Sequence, residues 1–292
     1  MPDPPSEAEV LGYFDTLSNW GRWGEDDELG TLNYITPEKR VAAAALVREG
    51  ITASCAWEVD PTPGPRQMFG TPQRYMQYTG HDPIRFGRVG SALEFLGGVY
   101  HGATITHLDA LCHIFWDGKM YNGKPAELVT ASAGATHHAV TAIANLMVTR
   151  GVLLDIPASQ GRAWLDPGEA TFPEDLEAAQ ARQGVTVEPG DVLFVRTGNS
   201  RREREEEAIV GQSGMHGVTL PWLHEHGVAV LASDGAHEAG GYAGISMPIH
   251  AVGIVAMGMP LIDNCDLEEL AETCERLRRW EFLVTVNPIA LF

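Results

Sequence analysis

"HGATITHLDALCH", residues 101–113, carries three histidines, one aspartate and two threonines in thirteen positions. Such a density of ligand-type side chains admits a metal site, an acid/base site or a polar turn. His107 and Asp109 are two apart, and side chains alternate along a strand, so both fall on one face. One imidazole and one carboxylate on a common face suit a borderline cation such as Zn or Mn. Two ligands do not complete a shell, so others are expected from elsewhere in the chain. His113 reaches the same place only if the chain bends, and Ala110, Leu111 and Cys112 are compatible with a turn into the core. From these residues alone, a hydrogen-bonded structural cluster stands as the alternative.

The flanking segments set the frame. In "ITPEKRVAAAALVREG", Thr36 can cap a helix, Pro37 suits its first position and Gly50 can end it. "TASCAWEV" (52–59) reads as a strand, and residues 60–90, rich in Pro, Gly, Gln and Arg, read as a surface excursion of the kind that covers active sites. "RGVLLDIP" (150–157) is a buried-strand run, "FPEDLEAAQARQG" (172–184) a helix, and "VEPGDVLFVRTGN" (187–199) a turn and strand. "NSRREREEEA" (199–208) alternates in charge like a solvated helical face. "LPWLHEHG" and "VAVLASDG" give a helix and a buried strand. "PIHAVGIVAMGMPLIDN" (248–264) gives helix, turn and strand. "DLEELAETCERLRRW" is an amphipathic helix, and "EFLVTVNPIALF" a closing strand pair. The expected organisation is a disordered lead over residues 1–8 and one α/β domain over 9–292.

Composition bounds the function. The chain has 292 residues, 44% of them hydrophobic, enough for a substantial core. Twenty basic residues against 39 acidic ones give a net charge of −19, which argues against nucleic acid and anionic membranes as partners. A small-molecule substrate is expected. No stretch approaches a membrane span, and the N-terminus lacks the basic and apolar regions of a signal peptide. The four cysteines, Cys55, Cys112, Cys265 and Cys274, form no C-x-x-C pair, and fit buried thiols in a reducing cytoplasm. There is no G-x-S-x-G elbow, G-x-G-x-x-G or Walker pattern, so a serine nucleophile and a nucleotide cofactor are not implied.

"THLDALCH" resembles the motif H-x-G-T-H-x-D-x-P-x-H of the cyclase or kynurenine formamidase family, with Thr106, His107, Asp109 and His113 on its fixed positions. "WGRWGEDDELGTLNYITPEKR", "HIFWDGKMYNG", "RGVLLDIP", "GDVLFVRTG" and "GMPLIDNCDLEELA" are similar, in order, to the longer branch of that family, which includes isatin hydrolases. The resemblance implies a swivelling β/β/α fold and metal-dependent hydrolysis of an amide, formamide, lactam or lactone bond. It places metal ligands at His107 and Asp109, an acid/base at His113, and later ligands at His250 and Asp263, with Asp in place of the usual Glu. Asp234 is expected to orient a histidine from outside the ligand set. It further implies a homodimer or homotetramer.

The motif's first metal-binding His falls on Ala103, its Gly on Ile105 and its Pro on Leu111. His101 is the candidate replacement, although six residues of straight strand span roughly 20 Å, so the segment has to bend. His101 is also a candidate catalytic group. Phe115, Trp116 and Tyr121 flank the motif and are expected to wall a planar substrate. Two alternatives accompany the metallohydrolase reading: a cyclase or dehydratase using His/Asp acid–base chemistry with weak or no metal, and a non-catalytic binder. His237 and Glu238, in "SDGAHE", are expected to face solvent.

Overall fold

The computed structural model describes residues 6–63, 67, 69–82, 87–206 and 211–289. Of the expected disordered lead, residues 1–5 lie outside that set. Residues 6–8 are ordered instead: the Ser6 side chain accepts from Glu9 N and caps helix α1 (Glu7–Thr16). Thr36 caps α2 (Pro37–Ala44) as its sequence requires, but the helix stops well before Gly50. "TASCAWEV" forms no strand. Its backbone is fastened one bond at a time, with Cys55 O accepting from Asp266 N and Trp57 N donating to Thr106 Oγ1, both at 2.9 Å. Local β-propensity without a ladder partner does not make a strand.

Residues 60–90 contain strand β1 (Gln73–Tyr78), which pairs antiparallel with β2 (Leu93–Gly97) in a separate two-stranded ribbon. The main sheet has six strands. They are β3 (His107–Asp109), β4 (Val148–Asp155), β5 (Val192–Arg196), β6 (Val230–Ser233), β7 (Leu261–Asp263) and β8 (Glu281–Thr285), in the spatial order β8-β4-β5-β6-β7-β3. The four central strands run parallel, and β8 and β3 close the two edges antiparallel. The expected final strand pair is one strand, β8, and residues 290–292 lie outside the described set.

Both sheet faces are covered, so the central strands read as unbroken apolar runs. One face carries Val152, Leu154, Leu193, Val195 and Leu231, packed by α1, α3 (Pro173–Gln183) and α5 (Leu220–Glu225). The other carries Leu153, Phe194, Ala232 and Ile262, packed by α6 (Glu268–Leu277) and by Leu32 and Ile35. Helix α4 (Asn199–Glu205) turns Arg201, Arg204 and Glu205 to solvent as its charges suggest, but its other side is packed. Asn199, Ser200 and Arg202 are buried, and residues 207–208 lie outside the described set. Between β6 and β7, a helical turn (Pro248–His250) runs into a π-helix (Ala251–Ala256), a conformation frequent at functional sites. Among the described residues no helix is long and apolar enough to cross a membrane.

Candidate metal centre

The site begins with sheet register. β3 and β7 pair antiparallel with Asp263 opposite His107 and Leu261 opposite Asp109, and directly paired residues share a face. His107, Asp109 and Asp263 therefore stand together at one end of the sheet. The ring Nδ1 of His107 lies 2.7 Å from Ile105 O, which makes it the N–H donor and turns a bare Nε2 toward Asp109 Oδ1, 3.7 Å away. The helical turn brings in His250, whose Nε2 is 3.4 Å from both Asp109 Oδ2 and Asp263 Oδ2.

The segment before β3 does bend. Gly102 sits at φ 115°, and Asn264 Nδ2 donates to Gly102 O at 2.5 Å. The bend returns His101 to the cluster, with Nδ1 3.1 Å from Asp109 Oδ1. Its ring stacks parallel on His113 at a centroid distance of 3.9 Å, and His113 Nε2 is 3.7 Å from the same carboxylate oxygen. Asp109 thus meets four imidazoles. His101, His107, His113, Asp109, His250 and Asp263 are all brought together.

Depth sorts them. The side chains of His107, Asp109, His250 and Asp263 are at most 6% exposed, whereas His113 is 29% and His101 38% exposed. His101 and His113 form the mouth, and the others form the floor.

The floor calls for a cation. Both oxygens of Asp109, and Asp263 Oδ1, are buried without a hydrogen bond from any described residue. Leaving buried anions unpaired is expensive. Ligand atoms at about 2.1 Å from a tetrahedral ion stand about 3.4 Å apart. The 3.4–3.7 Å separations among His107, Asp109, His250 and Asp263 match that edge. The triples His101–Asp109–His113 and His107–Asp109–Asp263 each place their donor atoms within 4.8 Å of one another. The donor set fits a divalent cation.

Electrostatics agree. Burial opposes a charged His250, but Asp109, Asp263 and Glu238 outweigh it and push its pKa up to about 12. Burial raises Asp109 and Asp263, yet the surrounding imidazoles hold both below the usual carboxylate range. Burial takes His113 down to about 4, opposed by Asp109 and reinforced by His101. The cluster draws a positive charge to its floor, where a proton and a metal ion compete for the same lone pair.

Three expectations are corrected. Tyr121 is fully buried and packs in the core, with its hydroxyl donating to Asp27 Oδ2 at 3.1 Å, so it walls no substrate. Asp234 orients no histidine: its carboxylate accepts from Thr197 N, Thr197 Oγ1 and Gly198 N at 2.7–2.9 Å. His237 and Glu238 do not face solvent, their side chains being 0% and 11% exposed. His237 Nε2 is 3.0 Å from Asp263 Oδ1. Glu238 accepts from both His250 N and His250 Nδ1 at 2.8 Å. Of the remaining candidates, Phe115 is 44% exposed, and Trp116 stacks on Phe14 of α1 at 4.4 Å.

The family model described as "Putative cyclase" matches residues 71–237, more than half of the chain. The chain belongs to the cyclase family. A crystal structure of a novel cyclase is similar at 32% identity, covering 94% of this chain and 95% of that one with a TM-score of 0.87. The cyclase fold is also shared with isatin hydrolase A from Ralstonia solanacearum, at 19% identity, 77% and 83% coverage and a TM-score of 0.52. An isatin hydrolase bound to the product analogue thioisatinate is similar at 13% identity, 80% and 88% coverage and the same TM-score of 0.52. No curated protein matches the sequence.

Proposed function

We propose that this cyclase-family protein is a metal-dependent hydrolase of an amide, formamide, lactam or lactone bond in a small aromatic or cyclic molecule. The observation that carries the reading is the buried carboxylate of Asp109, with both oxygens unpartnered and Oδ2 at ligand-edge distance from His250, beside Asp263, whose Oδ2 stands at the same distance from that ring. His107, Asp109, His250 and Asp263 would hold Zn or Mn. Such a cation, when bound, supplies Lewis acidity toward a water and a substrate carbonyl. His113 Nε2, at the mouth, takes the water's proton and returns it to the leaving nitrogen or oxygen. His101 stacks on His113, fixes its ring plane and narrows the entrance. Phe115, two residues beyond His113 and exposed, offers an apolar surface to a planar substrate. The isatin hydrolases among the structural neighbours support a cyclic, aromatic substrate.

Chelation is expected to abolish hydrolysis in a screen of formamides, lactams and lactones, with Zn or Mn restoring it. His113→Ala is expected to lower kcat by about 10²–10⁴. Full activity in protein shown to be metal-free would refute the reading. One observation favours a second reading, acid–base cyclisation or dehydration with weak or no metal: a protonated His250 can itself balance the floor. Metal analysis of the active protein separates the two.

A second copy of this chain is the proposed protein partner. The β1–β2 ribbon exposes Tyr75, Met76, Leu93, Phe95 and Leu96, and an isolated two-stranded ribbon is marginal in water. The net charge of −19 argues against nucleic acid and anionic membranes. The four free cysteines fit the cytoplasm.

A further inference from the structure

His237 and Glu238 are consecutive, yet they reach two different ligand-bearing elements. Glu238 holds His250 on the helical turn, and His237 meets Asp263 at the end of β7. The backbone conformation makes this possible. His237 adopts φ 59°, a left-handed value that non-glycine residues seldom take and that concentrates at functional sites. The turn is pinned by one residue of the adjacent segment of the same chain, with Met215 N donating to His237 O at 2.6 Å and Ala239 N donating to Met215 O at 3.0 Å.

The chemistry at each jaw is specific. Glu238 accepts the Nδ1 proton of His250, so the nitrogen left for a cation to take in place of a proton is Nε2, which faces Asp109 and Asp263. His237 Nε2 stands 3.0 Å from Asp263 Oδ1 and leaves Oδ2 toward His250. Aspartate is short, so the direction of its carboxylate depends on what grips the far oxygen. His237 is fully buried, and neither ring nitrogen has a hydrogen bond from another described residue. Packing alone would not call for an imidazole there, since a buried polar ring whose Nδ1 is left unpaired is costly.

We propose that His237 and Glu238 form a positioning clamp for the cation site, with Glu238 fixing the tautomer of His250 and His237 fixing the carboxylate orientation of Asp263. The clamp rests on the metal-site reading. It makes the loop after β6 part of the metal centre, although neither residue needs to touch the ion.

The test uses the full chain loaded with Co²⁺, whose visible absorption reports ligand geometry, together with Co²⁺ and Zn²⁺ affinities from chelator competition. His237→Asn keeps a residue that tolerates left-handed φ but lacks the reach, and Glu238→Gln is isosteric. Each variant is expected to weaken cation affinity 10–100-fold and to alter the Co²⁺ spectrum, while the chelator-treated variants keep the wild-type circular dichroism. If His237→Asn fails to fold, Glu238→Gln decides the matter. Wild-type protein that binds Co²⁺, with variants matching it in spectrum and within twofold in affinity, overturns the clamp alone. Wild-type protein that takes up neither Co²⁺ nor Zn²⁺ overturns the metal reading and the clamp with it.

Discussion

Removing divalent cations should lower thermal stability, and the size of the effect follows from the site. A ligand that binds only the folded state stabilises it by RT ln(1 + [L]/Kd), or about 4.1 kcal/mol at a thousandfold excess over Kd. The unfolding entropy near 60 °C is about 2.1 cal/mol/K per residue, which for 292 residues gives about 0.6 kcal/mol/K. Saturating Zn or Mn is therefore expected to raise Tm by about 7 °C over the chelated protein. Asp109→Asn should flatten that response, because Asp109 is the group that meets His101, His107, His113 and His250 at 3.1–3.7 Å. Loss of partners outside the ligand set already weakens metal binding 10–100-fold, so loss of a central anionic ligand should cost at least about a hundredfold. At the same cation concentration that leaves about 1.4 kcal/mol, or roughly 2 °C by the same entropy. The assay is calorimetry with chelator, then with graded Zn or Mn. An identical wild-type Tm across that series would refute the reasoning, because the two buried carboxylates would then need no cation beyond the imidazoles around them.

Tyr121→Phe removes a buried hydroxyl bonded to Asp27 and should destabilise by about 1.5–3 kcal/mol with KM unchanged; a raised KM at unchanged Tm would restore a substrate role. Arg196 is buried between Asp155 at 3.0 Å and Glu268 at 2.8 Å. Arg196→Met strands both carboxylates, so chemical unfolding should show a loss of about 3–5 kcal/mol. Burial pushes the Cys55 and Cys274 thiols up to about 12, so above the unfolded thiol pKa the folded state retains protons that the unfolded state releases. Stability should therefore fall as pH rises beyond about 9, by about 1.4 kcal/mol per pH unit for each thiol. Cys274→Ala should reduce that slope in urea titrations at pH 8 and 10, and an unchanged slope would contradict the assignment. Leu96→Glu on the exposed ribbon should lower the molar mass seen by light scattering if the ribbon packs on a second copy, and unaltered mass would exclude that face.

What the sequence made legible was what depends on short spacing. The two-residue step from His107 to Asp109 implies a shared face, and the β3–β7 register adds Asp263 to it. The central strands and α3 follow from apolar runs and from Pro173 and Gly184 at the helix ends. Tyr121 misled because nearness in sequence is not nearness in space: eight residues after His113 the chain has already turned into the core, against Gly258 and His138. Asp234 misled because a carboxylate at a strand end can serve the neighbouring backbone, here Thr197 and Gly198, as readily as a histidine.

His237 and Glu238 were hidden, and His101 was a candidate only on condition of a bend, for a shared reason. Each reaches the site through backbone that departs from a regular period: the bend at Gly102 and the left-handed residue at 237. Periodicity arguments project side chains along straight elements, so they place His101 far from Asp109 and give His237 and Glu238 opposite directions. The available signal was a different one, a dense polar run directly after a buried strand, where side chains on an irregular loop can converge. The same irregularity bears on Ala103. A motif with its first ligand missing looks defective when laid on a strand. Once the chain folds back at Gly102, His101 stands 3.1 Å from the central carboxylate, so an imidazole still approaches it, from two residues upstream of Ala103.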